Sequence, residues 1–128
     1  MTKPLLLVLF LIISGCGVQV PVSPSSTFSL SPEEEKRLSE SSDTDMNAAF
    51  KLYQFNSFVR QDVEQSTKYL RQAAKLGHGV SQFNLGSELM ESTNESLRTE
   101  GRMCLQRAAD TGDKKAIEVL KQFHTSPR

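Results

Sequence analysis

The amino-acid sequence predicts an all-α protein, built as a short solenoid of antiparallel helix pairs behind a flexible tether. Residues 73–77 (AAKLG) return 35 positions later as residues 108–112 (AADTG), and a repeat of roughly 20–50 residues is typical of stacked structural units. Within each unit, apolar residues recur at the spacing of one helix face. The tether is indicated by serine and proline, which replace this periodic pattern before residue 45.

Residues 1–15 are predicted to be a signal peptide. Lys3 gives a basic start, and residues 5–13 form an apolar run. Because spanning a bilayer takes roughly 20 apolar residues, this run has the length of a signal-peptide core rather than of a transmembrane helix. The run ends in Ile13-Ser14-Gly15-Cys16. An aliphatic residue, two small residues and a cysteine at this distance resemble the lipobox of bacterial lipoproteins.

The lipoprotein resemblance implies that the mature chain begins at Cys16, whose thiol carries a diacylglyceryl group. Such lipoproteins usually carry three acyl chains, and two or more chains anchor a protein stably. Gly17 follows the lipidated cysteine, whereas an aspartate there retains lipoproteins of enteric-type bacteria at the inner membrane. We therefore expect an outer-membrane lipoprotein that faces the periplasm. The alternatives are inner-membrane retention and an ordinary signal peptide followed by a chance cysteine.

Residues 16–44 are predicted to be the lipidated tether, with one short helix inside it. A segment rich in serine and proline buries too little apolar surface to offset its chain entropy. The motif Ser31-Pro32-Glu33-Glu34 is typical of a helix start, with Ser31 as the N-cap, Pro32 at the first position and Glu34 as the capping-box partner. We expect the charged residues that follow to face solvent.

Residues 45–124 are predicted to be the helical repeat domain, and residues 125–128 a tail. Gly77 and Gly112 fall just past two of the helices, where a left-handed residue is preferred. Asp113 is expected to cap the last helix. The periodic apolar residues predict helices over residues 45–59, 62–76, 81–91, 99–109 and 113–123.

This pattern resembles the Sel1-like repeat, a relative of the tetratricopeptide helix pair, over about residues 46–123. The resemblance implies about two and a half repeats, arranged as two helix pairs and a closing helix. The clearest matches are Ser81, Leu85-Gly86, Leu89, Tyr69, Ala73-Ala74 and Gly77.

The chain departs from the family pattern at four positions. Tyr53 stands where the next repeat has Gly86, and Ser66 and Gly101 replace an expected alanine. Cys104 occupies the position of a large aromatic residue. Because stacked units usually need at least three copies for stability, we expect modest stability.

Few residues suit catalysis or metal binding, so we predict a protein that is not an enzyme and has no cofactor. Cys104 is expected to be a small buried apolar residue rather than a redox group. His78 and His124 lie at a helix connection and near the C-terminus, outside any spacing typical of a metal site. Fifteen basic residues balance fifteen acidic residues, which argues against nucleic-acid binding.

An aromatic cluster on the first repeat helix needs a cover, because its members cannot all point to one face. Two alternatives remain open. The segment of residues 28–42 folds back over the cluster through Phe28, Leu30 and Leu38, or the cluster is an exposed patch that docks a partner beside Arg60. The cluster consists of Phe50, Tyr53, Phe55 and Phe58.

We expect the function to be non-catalytic binding of another protein, because helix-pair solenoids expose a groove for partners. Sel1-like lipoproteins resemble antidotes of type VI secretion phospholipases. The leading hypothesis is therefore an immunity protein that blocks a toxic, periplasm-acting effector. The alternative is an adaptor in cell-envelope or secretion-complex assembly. The candidate partner-binding residues are Phe50, Tyr53, Gln54, Phe58, Arg60, Glu88, Glu91 and Lys121.

Overall fold

A computed structural model describes residues 24–125. The predicted signal peptide, the predicted lipidation position Cys16 and the start of the predicted tether lie outside the described residues, as do residues 126–128. Throughout residues 24–125 the secondary structure is helical, without a strand, so the predicted all-α class is confirmed. The helices are α1 (Pro24–Thr27), α2 (Pro32–Ser41), α3 (Met46–Phe55), α4 (Val63–Lys75), α5 (Gly79–Met90), α6 (Glu95–Asp110) and α7 (Lys114–Thr125), with a π-helical turn (Asn56–Arg60) at the end of α3.

Each helix from α2 to α7 packs against the next one in the chain. The result is a short solenoid in which α3 pairs with α4, α5 pairs with α6, and α7 closes the stack. Residues that match across the repeat are buried in both copies, as for Leu70 and Leu105, and for Ala73 and Ala108. The predicted helix-pair architecture is therefore confirmed.

The predicted helix-terminating and capping residues behave as expected. Gly77 and Gly112 have φ angles of 98° and 91°, in the left-handed region that glycine adopts most easily. The Asp113 carboxylate accepts backbone N–H bonds from Lys115 and Ala116 at 2.9 and 3.1 Å. Ser31 accepts the N–H of Glu34 at 3.2 Å, with Pro32 in the first turn.

Two helices begin earlier than predicted because each has an N-cap that the apolar pattern does not indicate. Helix α5 begins at Gly79 rather than at residue 81, since the His78 ring accepts the N–H of Ser81 at 3.2 Å. Helix α6 begins at Glu95 rather than at residue 99, because the Asn94 side chain accepts the N–H of Ser96 at 2.8 Å. An imidazole is not among the usual N-caps.

The N-terminal segment folds back onto α3 and covers part of the aromatic cluster. Leu38 of α2 is buried in one cluster with Ala48, Leu52 and Tyr69, and Leu30 packs against the same cluster. Helix α2 lies within the sequence predicted as tether, yet it packs as part of the helical body. Phe28 stacks on Phe58, with ring centroids 4.9 Å apart.

Helix α3 does not continue regularly to residue 59, because the chain widens into the π-helical turn. Asn56 is buried there, and its side-chain amide donates to the Leu52 carbonyl at 2.7 Å. Gln61 then takes a left-handed conformation with φ of 56°, and the Asp62 N–H returns to the Asn56 carbonyl at 3.0 Å. The Asp62 side chain caps α4 through the Gln65 N–H at 3.0 Å. Gln61 and Asp62 thus connect the π-helical turn to the first residue of α4.

Candidate functional site

The second helix pair, α5 with α6, crosses at a point occupied by two glycines. A Cβ atom added to Gly86 would lie 2.7 Å from Leu105 Cγ and 2.9 Å from the Gly101 carbonyl oxygen. A Cβ atom added to Gly101 would lie 2.9 Å from the Gly86 carbonyl oxygen. The two backbones therefore touch, and no side chain fits between them.

The matched crossing of the first pair, α3 with α4, carries side chains instead. Tyr53 lies 33 residues before Gly86, and Ser66 lies 35 residues before Gly101. The Ser66 hydroxyl shares a hydrogen bond of 2.5 Å with the Ser57 hydroxyl of the π-helical turn. A cavity of about 280 Å³ opens beside these residues and reaches Glu88 of α5. We call this cavity the Tyr53 pocket.

The Tyr53 pocket combines an apolar wall with hydrogen-bond acceptors and acids. Leu70 forms part of the wall, and Val63, which is 78 % exposed, lies at the mouth. Asp62 and Glu88 contribute carboxylates, and the Glu88 carboxylate forms no ion pair within the described part of the chain. The complete lining is Tyr53, Ser57, Gln61, Asp62, Val63, Ser66, Thr67, Leu70 and Glu88.

The structure brings only two of the eight candidate partner-binding residues, Tyr53 and Glu88, into this pocket. Glu91 is exposed one turn beyond Glu88, at the C-terminal end of α5. Lys121 lies at the opposite end of the solenoid, in a shallow cavity of α7 beside Ile117. The candidates therefore lie on different sides of the solenoid, and only Tyr53 and Glu88 line the same cavity.

The remaining candidates are engaged on other sides of α3. The Phe50 ring stacks on the His78 ring at 4.1 Å. Gln54 lines a separate cavity against Phe28 and the segment before α2. Tyr53 itself packs against two core clusters, so it is a wall of the pocket and also part of the core.

Phe58 and Arg60 form a small surface group with the N-terminal segment. Phe58 is 45 % exposed although it stacks on Phe28. Two nitrogens of the Arg60 guanidinium reach the two Glu35 oxygens at 2.8 Å each, and the guanidinium lies 4.9 Å from the centre of the Phe55 ring. Because its charge is already paired, Arg60 is less available to a partner than its position in the sequence indicated.

Both histidines have structural partners. Nδ1 of His78 accepts at the start of α5 from the N–H of Ser81, and lies 2.9 Å from the Ser81 hydroxyl. Burial lowers the pKa of His78, which favours the neutral ring, the form that can accept at Nδ1. Nδ1 of His124 lies 2.7 Å from the Leu120 carbonyl oxygen, so it donates to the last turn of α7.

Cys104 is a buried free thiol in the core cluster of Leu70, Leu85 and Leu89. Burial, helped by the nearby Glu100 carboxylate, raises the pKa of the Cys104 thiol, although Arg107 and Arg71 act in the opposite direction. A thiol with a raised pKa is a poor nucleophile at neutral pH. Its predicted position as a small apolar core residue agrees with this environment.

Residues 24–125 contain neither a cluster of metal-ligating side chains nor a helix that could span a bilayer. Within that range, no group of three or more His, Cys, Asp or Glu side chains is placed to hold a metal ion. No helix in the same range combines the length and apolar character needed to cross a bilayer.

Most of the pocket lining, including Ser57, Val63 and Thr67, is not indicated by any motif in the sequence. One signal was present: Tyr53 and Ser66 depart from the repeat at two positions that face each other in the second pair. In the sequence the two departures are separate features. Only the fold brings Tyr53 and Ser66 to the same cavity between α3 and α4.

Comparison with known proteins adds one relative. No family model matches the chain, and no solved structure matches it. Among curated proteins, the chain is similar to the uncharacterized protein YibG of Escherichia coli (strain K12), with 33 % identity over 76 residues. The aligned region covers 59 % of this chain and 49 % of YibG. The chain thus spans about half the length of this relative.

Proposed function

We propose that this chain is a lipid-anchored binding protein whose partner is another protein, and that the Tyr53 pocket is the centre of the binding surface. One observation carries the proposal. The pocket lies where the first helix pair departs from the sealed glycine crossing of the second pair. It exposes Val63 together with the Glu88 carboxylate, which forms no ion pair in the described part of the chain. An apolar surface with a few oriented polar groups is typical of a protein-binding site.

The specific role that we propose is immunity: the chain blocks a toxic effector that acts in the periplasm, such as a type VI secretion phospholipase. Blocking an active site requires a stable shape in the right place and no chemistry of its own. Lipidation at Cys16 would hold the chain at the outer membrane, facing the periplasm. Confinement at the membrane raises the effective concentration toward an effector that attacks lipids.

Co-expression tests this role directly. Cells that produce the effector in the periplasm are grown with the full chain, with a Cys16→Ser variant and with an empty vector. The full chain should restore growth, and the Cys16→Ser variant should protect only when strongly overproduced. Undiminished toxicity in the presence of normally expressed full chain contradicts the immunity role. An envelope defect after gene deletion, in cells without any effector, favours the adaptor role instead.

The anchor has its own test, independent of the partner. Radiolabelled palmitate should be incorporated into the full chain and not into the Cys16→Ser variant. Equal labelling of both chains, or of neither, contradicts lipidation at Cys16.

A further inference from the structure

We infer that the Tyr53 pocket receives a single basic side chain, arginine or lysine, from the partner protein. This inference rests on the proposed function and names the chemistry that the binding surface recognises. Three properties of the pocket support it: its size, its hydrogen-bonding character and its charge.

The size of the pocket suits one side chain. Its volume is about 280 Å³, just below the range of about 300–1,000 Å³ that is common for small-molecule sites. The Tyr53 ring and Leu70 supply the apolar wall, with Val63 at the mouth. Lysine and arginine have long methylene stems that lie along apolar surfaces while the charged group reaches polar partners. A cation also gains attraction from the face of an aromatic ring.

The polar groups of the pocket can serve a ligand that donates several hydrogen bonds. The lining residues carry four hydroxyl groups, one carboxamide and two carboxylates; all of these have acceptor oxygens, and the two ionised carboxylates can only accept. Guanidinium and ammonium groups have several N–H donors and no acceptor. The residues that supply the acceptors are Tyr53, Ser57, Ser66, Thr67, Gln61, Asp62 and Glu88.

The charge of the pocket attracts a cation and repels an anion. Among the described residues, its lining includes two acids and no base. Three basic residues adjoin lining residues in the sequence, and each has another partner. Both oxygens of Glu35 hold Arg60, Glu100 pairs with Arg71, and Lys68 lies over the Tyr69 ring, 5.2 Å from its centre. The Glu88 carboxylate forms no ion pair within residues 24–125, and a partner cation would supply the opposite charge.

The frame of the pocket is held in place before any ligand binds. The π-helical turn is fixed by the Asn56 amide, and Asp62 is fixed as the cap of α4. π-helical turns occur frequently at functional sites. A site that is formed in advance spends less free energy on ordering when it binds.

The test uses the full chain in detergent micelles, labelled with ¹⁵N, and small probes in place of the partner. The probes are Nα-acetyl-arginine amide, Nα-acetyl-lysine amide and Nα-acetyl-citrulline amide, in which an uncharged urea group replaces the guanidinium. Arginine or lysine amide should shift the amide signals of residues 57–70 and 85–90, and citrulline amide should shift them far less. Added salt should weaken the binding of the charged probes.

Two matched variants locate the charge that recognises the probe. Glu88→Gln should weaken binding of the charged probes at least threefold. Glu91→Gln removes the same charge one turn away, outside the pocket, and should leave binding nearly unchanged. Equal shifts with arginine and citrulline amides, shifts away from the pocket, or no shift at tens of millimolar probe would each overturn the inference. An equal loss in both variants would also overturn it, because it would indicate a diffuse field.

The outcomes separate this inference from the proposed function. The probes need no partner, so a negative titration leaves protection by the full chain intact and removes only the basic side chain. Loss of protection in co-expression, with a positive titration, removes the immunity role and leaves the cation site.

Discussion

The two helix pairs of this protein share one repeat and differ at the point where their helices cross. In the second pair, Gly86 meets Gly101 and the backbones touch. In the first pair, Tyr53 and Ser66 occupy the matched positions and leave a cavity. The crossing is sealed where both positions are glycine, and a cavity opens where both carry side chains. The sealed pair contributes packing, and the open pair contributes the cavity that we propose as the binding surface.

The largest loss of stability that we expect is at Leu105, which we compare with its matched core leucine, Leu70. Leu105 is completely buried beside Gly86, whereas Leu70 is buried but also borders the Tyr53 pocket. Leu105→Ala should lower the free energy of unfolding by about 4 kcal/mol and Leu70→Ala by about 2–3 kcal/mol, because deleting a leucine costs most where the site is fully packed. Urea denaturation followed by circular dichroism measures both. Equal losses would mean that the first pair is packed as tightly as the second.

The next effect concerns the crossing points themselves. Gly101→Ala forces a methyl group against the Gly86 carbonyl oxygen and Leu89, and we expect a loss of about 2 kcal/mol, since overpacking outweighs the gain in helix propensity. The matched change Ser66→Ala removes one hydroxyl bond in an open crossing and should cost less than about 1 kcal/mol. Thermal unfolding of both variants gives the comparison. A stabilised Gly101→Ala would contradict the close approach of α5 and α6.

A smaller loss of stability is expected at Cys104, whose matched position in the first pair is Tyr69. Both side chains are buried, but the cysteine fills much less space than the tyrosine. Cys104→Ala should cost about 1 kcal/mol, because few atoms are removed. Tyr69→Ala should cost about 3 kcal/mol or more, as for other large aromatic residues. Chemical denaturation of both variants tests this ranking. A larger loss in free energy of unfolding for Cys104→Ala than for Tyr69→Ala would contradict it.

The smallest effect is a pH dependence at the joint between the pairs. The pKa of His78 is lowered in the folded chain by burial, so the unfolded chain binds the proton more readily. Stability should therefore fall as the pH decreases below the ordinary histidine value of about 6.5, and be regained above it. Protonation at Nδ1 would also remove the acceptor of the Ser81 N–H.

A variant isolates this group from the other titratable groups. His78→Asn keeps a capping side chain that does not titrate, so the slope of melting temperature between pH 7.5 and 5.5 should become flatter than in the unchanged chain. His124→Asn, at the exposed end of α7, serves as the control and should retain most of the slope. An unchanged slope in His78→Asn would assign the dependence to other residues.

The fold could be predicted because its signals are local and repeated. Helix faces follow from apolar spacing, and Gly77, Gly112 and Asp113 mark helix ends by their own backbone and capping chemistry. The starts of α5 and α6 are also set by local capping, through His78 and Asn94. The apolar spacing alone does not indicate these two caps, so it places both starts too late. The π-helical turn could not be predicted, because its residues share the apolar pattern of an ordinary helix.

The pocket could be predicted only in part, because it depends on distances between helices. The exchange of Gly86 for Tyr53 was visible in the alignment of the repeats, whereas the opening required the position of α5 relative to the π-helical turn. Arg60 shows the same limit: its charge suggested an accessible binding residue, and only the fold places it against Glu35.

The central claim, that the partner enters the open crossing of the first pair, is tested most directly by photo-crosslinking in cells. A photoreactive phenylalanine derivative replaces either Val63, at the mouth of the Tyr53 pocket, or Met103, an exposed apolar residue of α6. In cells that produce the effector and are protected by the chain, we predict a crosslink to the effector from position 63 and none from position 103. Protection with a crosslink from position 103 and none from position 63 would contradict the claim.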